Sequence, residues 1–372
     1  NSNHFEPGKT PIYYSGPYWD NKEIEAAIDA FLNGKWITSG EKVFMFERYF
    51  SNKFNCKYSF MVNSGSSANL VLMTALKKRF SWEDDDEIIV SPVGFATTVS
   101  VIHQNKLKPV FVDIEWDTLN FDLDQINGKI TSRTKAIFVS PVLGNPPDMD
   151  KLISICEKYG LLLIGDNCDS LGSKWDGKLM VSIAWWGRDC YCVGSANLLS
   201  CGTCGKRFDN WLESYDGVID HKYVFSNMGY NLKPLDLQGA IGSIQLDKFA
   251  EIEENRKRSK ETIEHIFTST ISNIRTPKTA SEKSEPCWFG TPFICEEEGL
   301  KHKLVQFLED NKIQTRNYFA GNILMHPGYS FLDNYKNYPE ANKVLDKVFF
   351  IGAAPHYNEN VFEYIQDTIK KF

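Results

Sequence analysis

The sequence predicts an α/β protein with a mostly parallel central sheet, helices on both faces of that sheet, and a smaller C-terminal α+β domain. Two observations lead to this prediction. Short apolar segments alternate with segments of helical periodicity over residues 21–166, as expected when crossover helices cover a parallel sheet. Beyond residue 235 this alternation gives way to one long helical stretch, a polar stretch, a strand and further helices.

The first half supplies the elements of the parallel sheet. Apolar residues at helical spacing predict helices over residues 21–31, 41–54, 66–76, 93–104 and 148–159. Short apolar runs predict strands over residues 58–62, 87–91, 109–113, 135–140 and 161–164. Ligands of such sheets bind at the carboxyl ends of the strands, so the residues that follow the strands are the first candidates for a site.

The second half predicts the smaller domain. A helical period extends over residues 235–260 and ends in a charged run that is most simply a solvated helix face. A strand over 288–295, a helix over 301–311 and a C-terminal helix follow. We therefore expect a large domain over residues 1–249 and a small domain over residues 250–372.

The composition excludes several classes of protein. With 42% hydrophobic and 24% charged residues, the 372-residue chain is not disordered. A net charge of −7 without a basic run argues against nucleic acid as a partner. No apolar stretch is long enough to span a membrane, and the N-terminus lacks the features of a signal peptide. We expect a cytoplasmic protein that binds neither nucleic acid nor membranes.

Residues 63–69 (Asn-Ser-Gly-Ser-Ser-Ala-Asn) join a predicted strand to a predicted helix. Backbone amides at a helix N-terminus, next to small side chains, suit a phosphate group. The same residues also suit a serine N-cap on a purely structural helix. The residues alone leave both interpretations open.

Two further residues follow predicted strands of the same sheet. Asp166 closes the apolar strand 161–164 and could keep a pyridinium nitrogen protonated, as pyridoxal chemistry requires. Phe95 could stack on a flat ring. The structural alternatives are an aspartate that caps the next turn and an aromatic side chain of the core.

Four of the nine cysteines lie close together in the sequence. These are Cys190, Cys192, Cys201 and Cys204, and Cys168 is a fifth candidate ligand. In a cytosolic protein such a cluster favours zinc or an iron–sulfur centre over disulfides. The spacing does not distinguish zinc from iron, and reduced buried thiols remain an alternative.

Several motifs together resemble the DegT-type sugar aminotransferases, which are fold-type-I pyridoxal-phosphate (PLP) proteins. The motifs shared with the whole family are residues 63–69, 94–98, 143–146, 166–172 and 229–234. Within the family the chain looks most like the CDP-4-keto-6-deoxy-D-glucose 3-dehydrase branch. The motifs that resemble this branch are residues 186–192, 204–208, 220–223 and 315–322. The likeness runs nearly end to end.

The resemblance implies a role for each residue of a cofactor site. Gly65 and Ser66 would hold the cofactor phosphate through backbone amides, and Phe95 would stack on the pyridine ring. Asp166 would pair with the ring nitrogen, and Asp169 would lie beside the ring.

The resemblance also implies a homodimer and a substrate. Asn231 would reach across the dimer interface to the phosphate in the other subunit. Arg316 and Phe319 would lie near a nucleotide-linked 4-keto-6-deoxy sugar. In this branch, pyridoxamine phosphate (PMP) condenses with the keto sugar and the C3 hydroxyl leaves. The product is a 3-deoxy sugar for lipopolysaccharide O-antigen.

The cysteines match the ligands of a 2Fe–2S cluster in that branch. The implied ligands are Cys168, Cys190, Cys192 and Cys204, with Cys201 as an alternative because the loop between the last two ligands is longer here. The cluster would relay electrons from an NADH-dependent flavin/iron–sulfur reductase.

One departure from the family concerns the catalytic base. Relatives of this type carry several dozen more residues where this chain has only the short connection between Lys178 and Trp185. That block holds the base, which is His in the dehydrases and the Schiff-base Lys in the aminotransferases, so the catalytic base of this chain is unknown. We expect a 3-dehydrase by descent whose activity is impaired. A sugar aminotransferase and a non-catalytic homologue that keeps dimerisation and metal binding are the alternatives.

Overall fold

Four parallel strands form the first sheet of the structure, a computed structural model that describes residues 5–180 and 229–372. The strands are β1 (Glu87–Val90), β2 (Lys108–Phe111), β3 (Thr134–Val139) and β4 (Leu162–Gly165). Their order is β2-β1-β3-β4, and every neighbouring pair is parallel. The parallel sheet predicted from the alternating pattern is therefore confirmed.

Helices pack on both faces of this sheet. The helices of the first half are α1 (Asn21–Asn33), α2 (Glu41–Lys53), α3 (Gly65–Arg79), α4 (Ala96–Gln104), α5 (Leu123–Ile126) and α6 (Met149–Tyr159). Of these, α1 and α2 have their main contacts with the helix over residues 236–247. Ile88 and Ile89, successive residues of β1, belong to two different apolar clusters. Successive side chains of a strand point to opposite faces, so each face has its own core.

The second half contains an antiparallel sheet flanked by helices. Helices α7 (Asp236–Asp247) and α8 (Phe249–Thr270) precede it. Its strands are β7 (Ile274–Arg275), β9 (Gly290–Cys295), β10 (Thr315–Asn317) and β11 (Val348–Gly352), in the order β10-β11-β9-β7. The helices that follow α8 are α9 (Leu300–Asp310), α10 (Pro339–Lys347) and α11 (Glu359–Ile369). A small sheet joins β5 (Lys174–Trp175) to β6 (Lys178–Leu179) and β8 (Ser284–Glu285). Among the described helices, none has the length and apolar character needed to cross a membrane.

Two predicted elements differ from the structure. The single helix expected over 235–260 is two helices, because the backbone turns at Lys248, whose ammonium binds Glu23 at 2.8 Å and Asp20 at 3.0 Å. The strand expected over 58–62 is absent. Within the described residues this segment has no neighbouring strand, and extended backbone needs one to satisfy its polar groups.

The division into domains after residue 249 stays a prediction. Residue 249 is the first residue of α8. The N-terminal segment crosses to the second half, where the amide of Ile12 donates to the Lys312 carbonyl at 2.8 Å. Asp113, which lies just beyond β2, accepts the amides of Glu340 and Ala341 at 3.1 and 2.9 Å and so caps α10. These bonds fix the two halves against each other.

Helix α9 holds strand β10 through Lys301, a lysine that is only 3% exposed. Its ammonium donates to Asn317 Oδ1 at 2.9 Å and to the Leu345 carbonyl. Burial lowers the pKa of Lys301 to about 8, and the charges of Asp346 and Cys295 oppose this shift. Lys301 therefore carries a buried charge without a hydrogen-bonded carboxylate.

This lowered pKa predicts a pH-dependent stability. The unfolded chain, with an ordinary lysine pKa, binds more protons than the folded chain between pH 8 and about 10.5. The cost of burying the charge is therefore complete below pH 8 and disappears as the pH rises. Relative to Lys301→Met, the wild type should gain about 2–3 kcal/mol of unfolding free energy between pH 7 and pH 10.5. Urea unfolding at the two pH values measures this, and a difference that does not change with pH would contradict it.

Candidate active site

Asp166 is the centre of a polar site at the carboxyl edge of the parallel sheet. It directly follows β4 and is 8% exposed. Its Oδ2 accepts a hydrogen bond from Asn69 Nδ2 at 2.8 Å and another from Thr98 Oγ1 at 2.7 Å. Its Oδ1 accepts only a long bond, from the Cys168 amide at 3.4 Å. The carboxylate is thus fixed through one oxygen, and the other has little competition for a further partner.

The N-terminus of α3 lies beside this carboxylate. Ser64 caps the helix by accepting the amide of Ser67 at 3.1 Å. The amides of Gly65 and Ser66 belong to the first turn, where a helix offers no internal acceptor. The Ser66 hydroxyl donates to Thr97 at 3.1 Å and so joins the start of α3 to the start of α4. Two helix N-termini therefore converge on the same edge of the sheet.

Aromatic side chains border the site. Phe95, the residue before α4, is 52% exposed, and its ring centroid lies 6.1 Å from that of Phe319 in an edge-to-face arrangement. Phe319 packs in turn on Phe350 at 5.3 Å. The guanidinium of Arg316 lies 4.2 Å from the ring centroid of Tyr14. In the described part of the chain, Arg316 has no carboxylate partner.

Asp169 lies in the loop that follows Asp166. Its Oδ2 accepts the amide of Leu143 at 3.2 Å, which links the loop after β4 to the loop after β3. Burial raises the pKa of Asp169 to about 6, the Leu143 amide opposes that rise, and the charge of Asp166 adds to it. The carboxyl therefore titrates much closer to neutral pH than an exposed aspartate does.

The structure brings most of the sequence-predicted cofactor residues together. Gly65 and Cys168 approach closely, since a Cβ on Gly65 would lie 3.5 Å from the Cys168 sulfur. Asn231 is exposed, and its neighbour Leu232 accepts the Asn63 amide at 3.1 Å. Asn231 therefore lies beside the start of α3 in its own chain.

Part of the predicted site lies outside the described residues. This holds for Cys190, Cys192, Cys201 and Cys204, and for the connection after Lys178. Among residues 5–180 and 229–372, no group of three or more His, Cys, Asp or Glu side chains could hold a metal ion.

Sequence reasoning missed Asn69 and Thr98. Both belong to motifs that the sequence singled out, yet each lies within a helix, where a polar side chain usually faces solvent. The available signal was their position within the first two turns of helices that follow predicted strands. A polar residue there can turn toward the carboxyl edge of the sheet.

A parallel sheet with a buried aspartate at its carboxyl edge, between two helix N-termini, places the chain in the fold-type-I PLP class. The sequence profile of the DegT/DnrJ/EryC1/StrS aminotransferase family matches residues 19–188 and 198–370. The chain belongs to this family.

Relatives and a solved structure agree with this assignment. The chain is 32% identical to the lipopolysaccharide biosynthesis protein RfbH of Salmonella typhimurium, over 99% of this chain and 93% of that protein. It is 34% identical to a dTDP-4-dehydro-2,6-dideoxy-D-glucose 3-dehydratase of Saccharopolyspora spinosa, over 99% of this chain and 88% of that protein. The structure of the E. coli GDP-4-keto-6-deoxy-D-mannose-3-dehydratase with bound hydrated PLP superposes with a TM-score of 0.79 at 26% identity. That match covers 97% of this chain and 100% of the E. coli chain.

Proposed function

We propose that this chain binds pyridoxamine or pyridoxal 5′-phosphate and belongs to the sugar-nucleotide 3-dehydratases of deoxysugar and lipopolysaccharide biosynthesis. The observation that carries the proposal is the Asp166 carboxylate, held by Asn69 and Thr98 at the sheet edge where α3 and α4 begin. The 3-dehydratases among the relatives and solved structures support it.

The described residues fit the cofactor in three respects. The first-turn amides of α3, at Gly65 and Ser66, suit the phosphate. The exposed ring of Phe95 suits one face of the pyridine, and the Asp166 carboxylate suits a protonated ring nitrogen. When bound, the cofactor supplies an electron sink for carbanion chemistry at the sugar. The protein fixes the position and protonation of the ring from strand and helix termini.

A nucleotide-linked 4-keto-6-deoxy sugar is the proposed substrate. The guanidinium of Arg316, which donates to the Thr315 carbonyl at 2.7 Å and stacks on Tyr14, has no carboxylate partner among the described residues. It suits a diphosphate, because its remaining planar donors match phosphate oxygens. Phe319, which contacts Phe95, borders the same side of the site. The branch that the motifs resemble acts on a CDP-linked sugar, whereas the names of two relatives give dTDP-linked and GDP-linked sugars, so the proposal leaves the nucleotide open.

We favour a dehydratase over an aminotransferase because the chain has the cysteines Cys168, Cys190, Cys192 and Cys204, which the resemblance assigns to the dehydratase branch. The two lysines nearest to the connection after Lys178 offer no evidence for a Schiff base. Lys174 forms an ion pair with Glu253 at 3.4 Å, and Lys178 lies exposed on the same hairpin. We also propose that the block with the catalytic base is absent after Lys178. The alignment with the Salmonella protein runs over 413 positions, more than the 372 residues of this chain, so that relative carries residues without a counterpart here.

A homodimer is part of the proposal. Helices α1 and α2 and their connection expose large apolar side chains, each more than half accessible: Ile24, Ile28, Phe31, Leu32, Trp36, Ile37, Phe44 and Met45. A continuous apolar surface of this kind is typical of a subunit interface. The connection between α1 and α2 lies near Asn231, since the Ser39 amide donates to the Pro234 carbonyl at 3.1 Å. A second copy docked on this surface would therefore lie close to Asn231.

We further propose a 2Fe–2S cluster on Cys168, Cys190, Cys192 and Cys204, with Cys201 as the alternative ligand, reduced by an NADH-dependent flavin/iron–sulfur protein. Two observations support it. The thiolate set is typical of such clusters. The Cys168 sulfur also lies beside Gly65, so a cluster on it would be next to the phosphate end of the cofactor site.

Asp166→Asn tests the cofactor site. The substitution removes the charge that would pair with the ring nitrogen, so PMP affinity should fall roughly 10- to 100-fold. Absorbance titration with PMP measures this. Asp150→Asn, an exposed aspartate paired with Lys283, is the control and should bind as the wild type does. Equal affinity of Asp166→Asn and the wild type would contradict the proposed site.

The same preparation tests turnover. The PMP-loaded wild type is incubated with CDP-, GDP- or dTDP-linked 4-keto-6-deoxy sugar and a reducing system. Loss of the base should leave the rate about 10²–10⁴-fold below that of a dehydratase that retains its histidine. Full-rate 3-deoxygenation would refute the absent base and leave the cofactor site intact.

Metal analysis tests the cluster. Protein purified without oxygen should contain about two iron and two labile sulfide per chain. Cys168→Ser should lose much of this iron, whereas Cys156→Ser, at a buried free thiol within α6, should retain it. Stoichiometric zinc without iron would overturn the cluster.

Sedimentation velocity tests the dimer. The wild type should sediment as a dimer at micromolar concentration. Phe31→Glu places a charge on the apolar surface and should raise the dimer dissociation constant at least about tenfold. Phe331→Glu is a matched control, since these phenylalanines are 67% and 66% exposed on different elements. A monomeric wild type, or equal behaviour of both variants, would contradict the interface.

A further inference from the structure

We propose that Lys301 and Glu309 of helix α9 are positioning residues, which hold strand β10 so that Arg316 and Phe319 face the substrate. The inference rests on the proposed function, because it assigns to these two residues a part in binding the sugar nucleotide. Neither residue belongs to a motif that the sequence singled out.

The two side chains form hydrogen bonds with opposite ends of β10. Lys301 donates to Asn317 Oδ1 at 2.9 Å and, at its other side, to the Leu345 carbonyl at the end of α10. Glu309 Oε1 accepts the amide of Thr315 at 2.6 Å and its hydroxyl at 2.8 Å. Helix α9 thus binds the first and last residues of a three-residue strand.

Strand β10 needs this support because it is short and lies at the edge of its sheet. Among the described strands it pairs with β11 alone, where Thr315 faces Ile351 and Asn317 faces Phe349. Its outer edge has no neighbouring strand among the described residues. A three-residue edge strand gains little from its backbone ladder alone. The side chains of α9 supply the second set of contacts.

The residues proposed to face the substrate lie on β10 or directly after it: Arg316 is within the strand and Phe319 follows it. Arg316 lies between the two clamped positions and stacks on Tyr14 at 4.2 Å. Tyr318 donates from its hydroxyl to the Val142 carbonyl at 3.4 Å, and Phe319 reaches the ring of Phe95. A shift of β10 would therefore move the Arg316 guanidinium and Phe319 together, whereas the hydrogen bonds that hold Asp166 come from Asn69 and Thr98 and involve neither residue.

A lysine at position 301 is difficult to explain by stability alone. Its ammonium is buried among neutral acceptors, and burying a charge without a hydrogen-bonded counter-charge destabilises a fold. A methionine of similar length would fill the same space without that cost. What the ammonium contributes is a directional bond to β10, which an apolar side chain cannot make.

The test compares Lys301→Met, Glu309→Ala and the conservative Glu309→Gln with Lys303→Met, an exposed lysine of the same helix. Calorimetry measures the affinity of each PMP-loaded protein for the sugar nucleotide and, separately, the affinity of the apoprotein for PMP. Hydrogen exchange follows the amides of residues 315–319. Melting temperatures report stability.

Lys301→Met and Glu309→Ala should each weaken sugar-nucleotide binding roughly tenfold, the scale of substitutions behind a binding residue. PMP affinity should stay within about twofold. Exchange over residues 315–319 should speed up, and Glu309→Gln and Lys303→Met should behave as the wild type. Two results overturn the inference alone: sugar-nucleotide binding by the variants equal to that of the wild type, or a parallel loss of PMP and sugar binding. A wild type that binds PMP but no sugar nucleotide overturns the proposed substrate, and with it this role for Lys301 and Glu309.

Discussion

The two hydrogen bonds that Asp166 receives from Asn69 and Thr98 are the constraint on which the site depends. Each donor lies within the first two turns of its helix, so each bond fixes the start of that helix against the end of β4. The first-turn amides of α3 and the ring of Phe95 then have set positions relative to one carboxylate. A phosphate, a flat ring and a ring nitrogen could not all be satisfied if either helix slid along the sheet.

A second set of contacts connects the parallel sheet to the antiparallel sheet. Residues of both sheets share one apolar cluster, in which Val90 and Phe138 pack with Trp288 and Phe350. Asp113 adds a polar link by capping α10, whose last turn supplies the carbonyl that Lys301 binds. The strand with Arg316 is therefore connected to the parallel sheet through two buried residues, Lys301 and Asp113, although it belongs to a different sheet from Asp166.

The sequence predicts those elements whose signal lies in the residues of the element itself. The alternating pattern predicts the parallel sheet, and the position of Asp166 after a strand predicts its place at the sheet edge. The break at Lys248 has no local signal in the sequence, and the carboxylates that Lys248 binds there, Glu23 and Asp20, lie more than two hundred residues away in the chain. The prediction of a strand over residues 58–62 was wrong because an apolar pattern does not show whether a neighbouring strand is present to pair with it. A lysine in an amphipathic helix predicts a solvated side chain, so only packing shows that Lys301 is buried.

The arrangement of the site predicts that cofactor binding and catalysis are separable in this chain. The phosphate amides of α3, the ring of Phe95 and the carboxylate of Asp166 all belong to elements whose positions are set by the sheet and by buried hydrogen bonds. A catalytic base adds proton transfer to that site, but it is not needed to orient Asn69, Thr98 or the two helix N-termini. If the segment with the base is absent, as proposed, the chain lacks a proton acceptor, whereas the hydrogen bonds that Asp166 receives from Asn69 and Thr98 do not involve that segment. The proposed cofactor site therefore does not depend on the proposed loss of turnover.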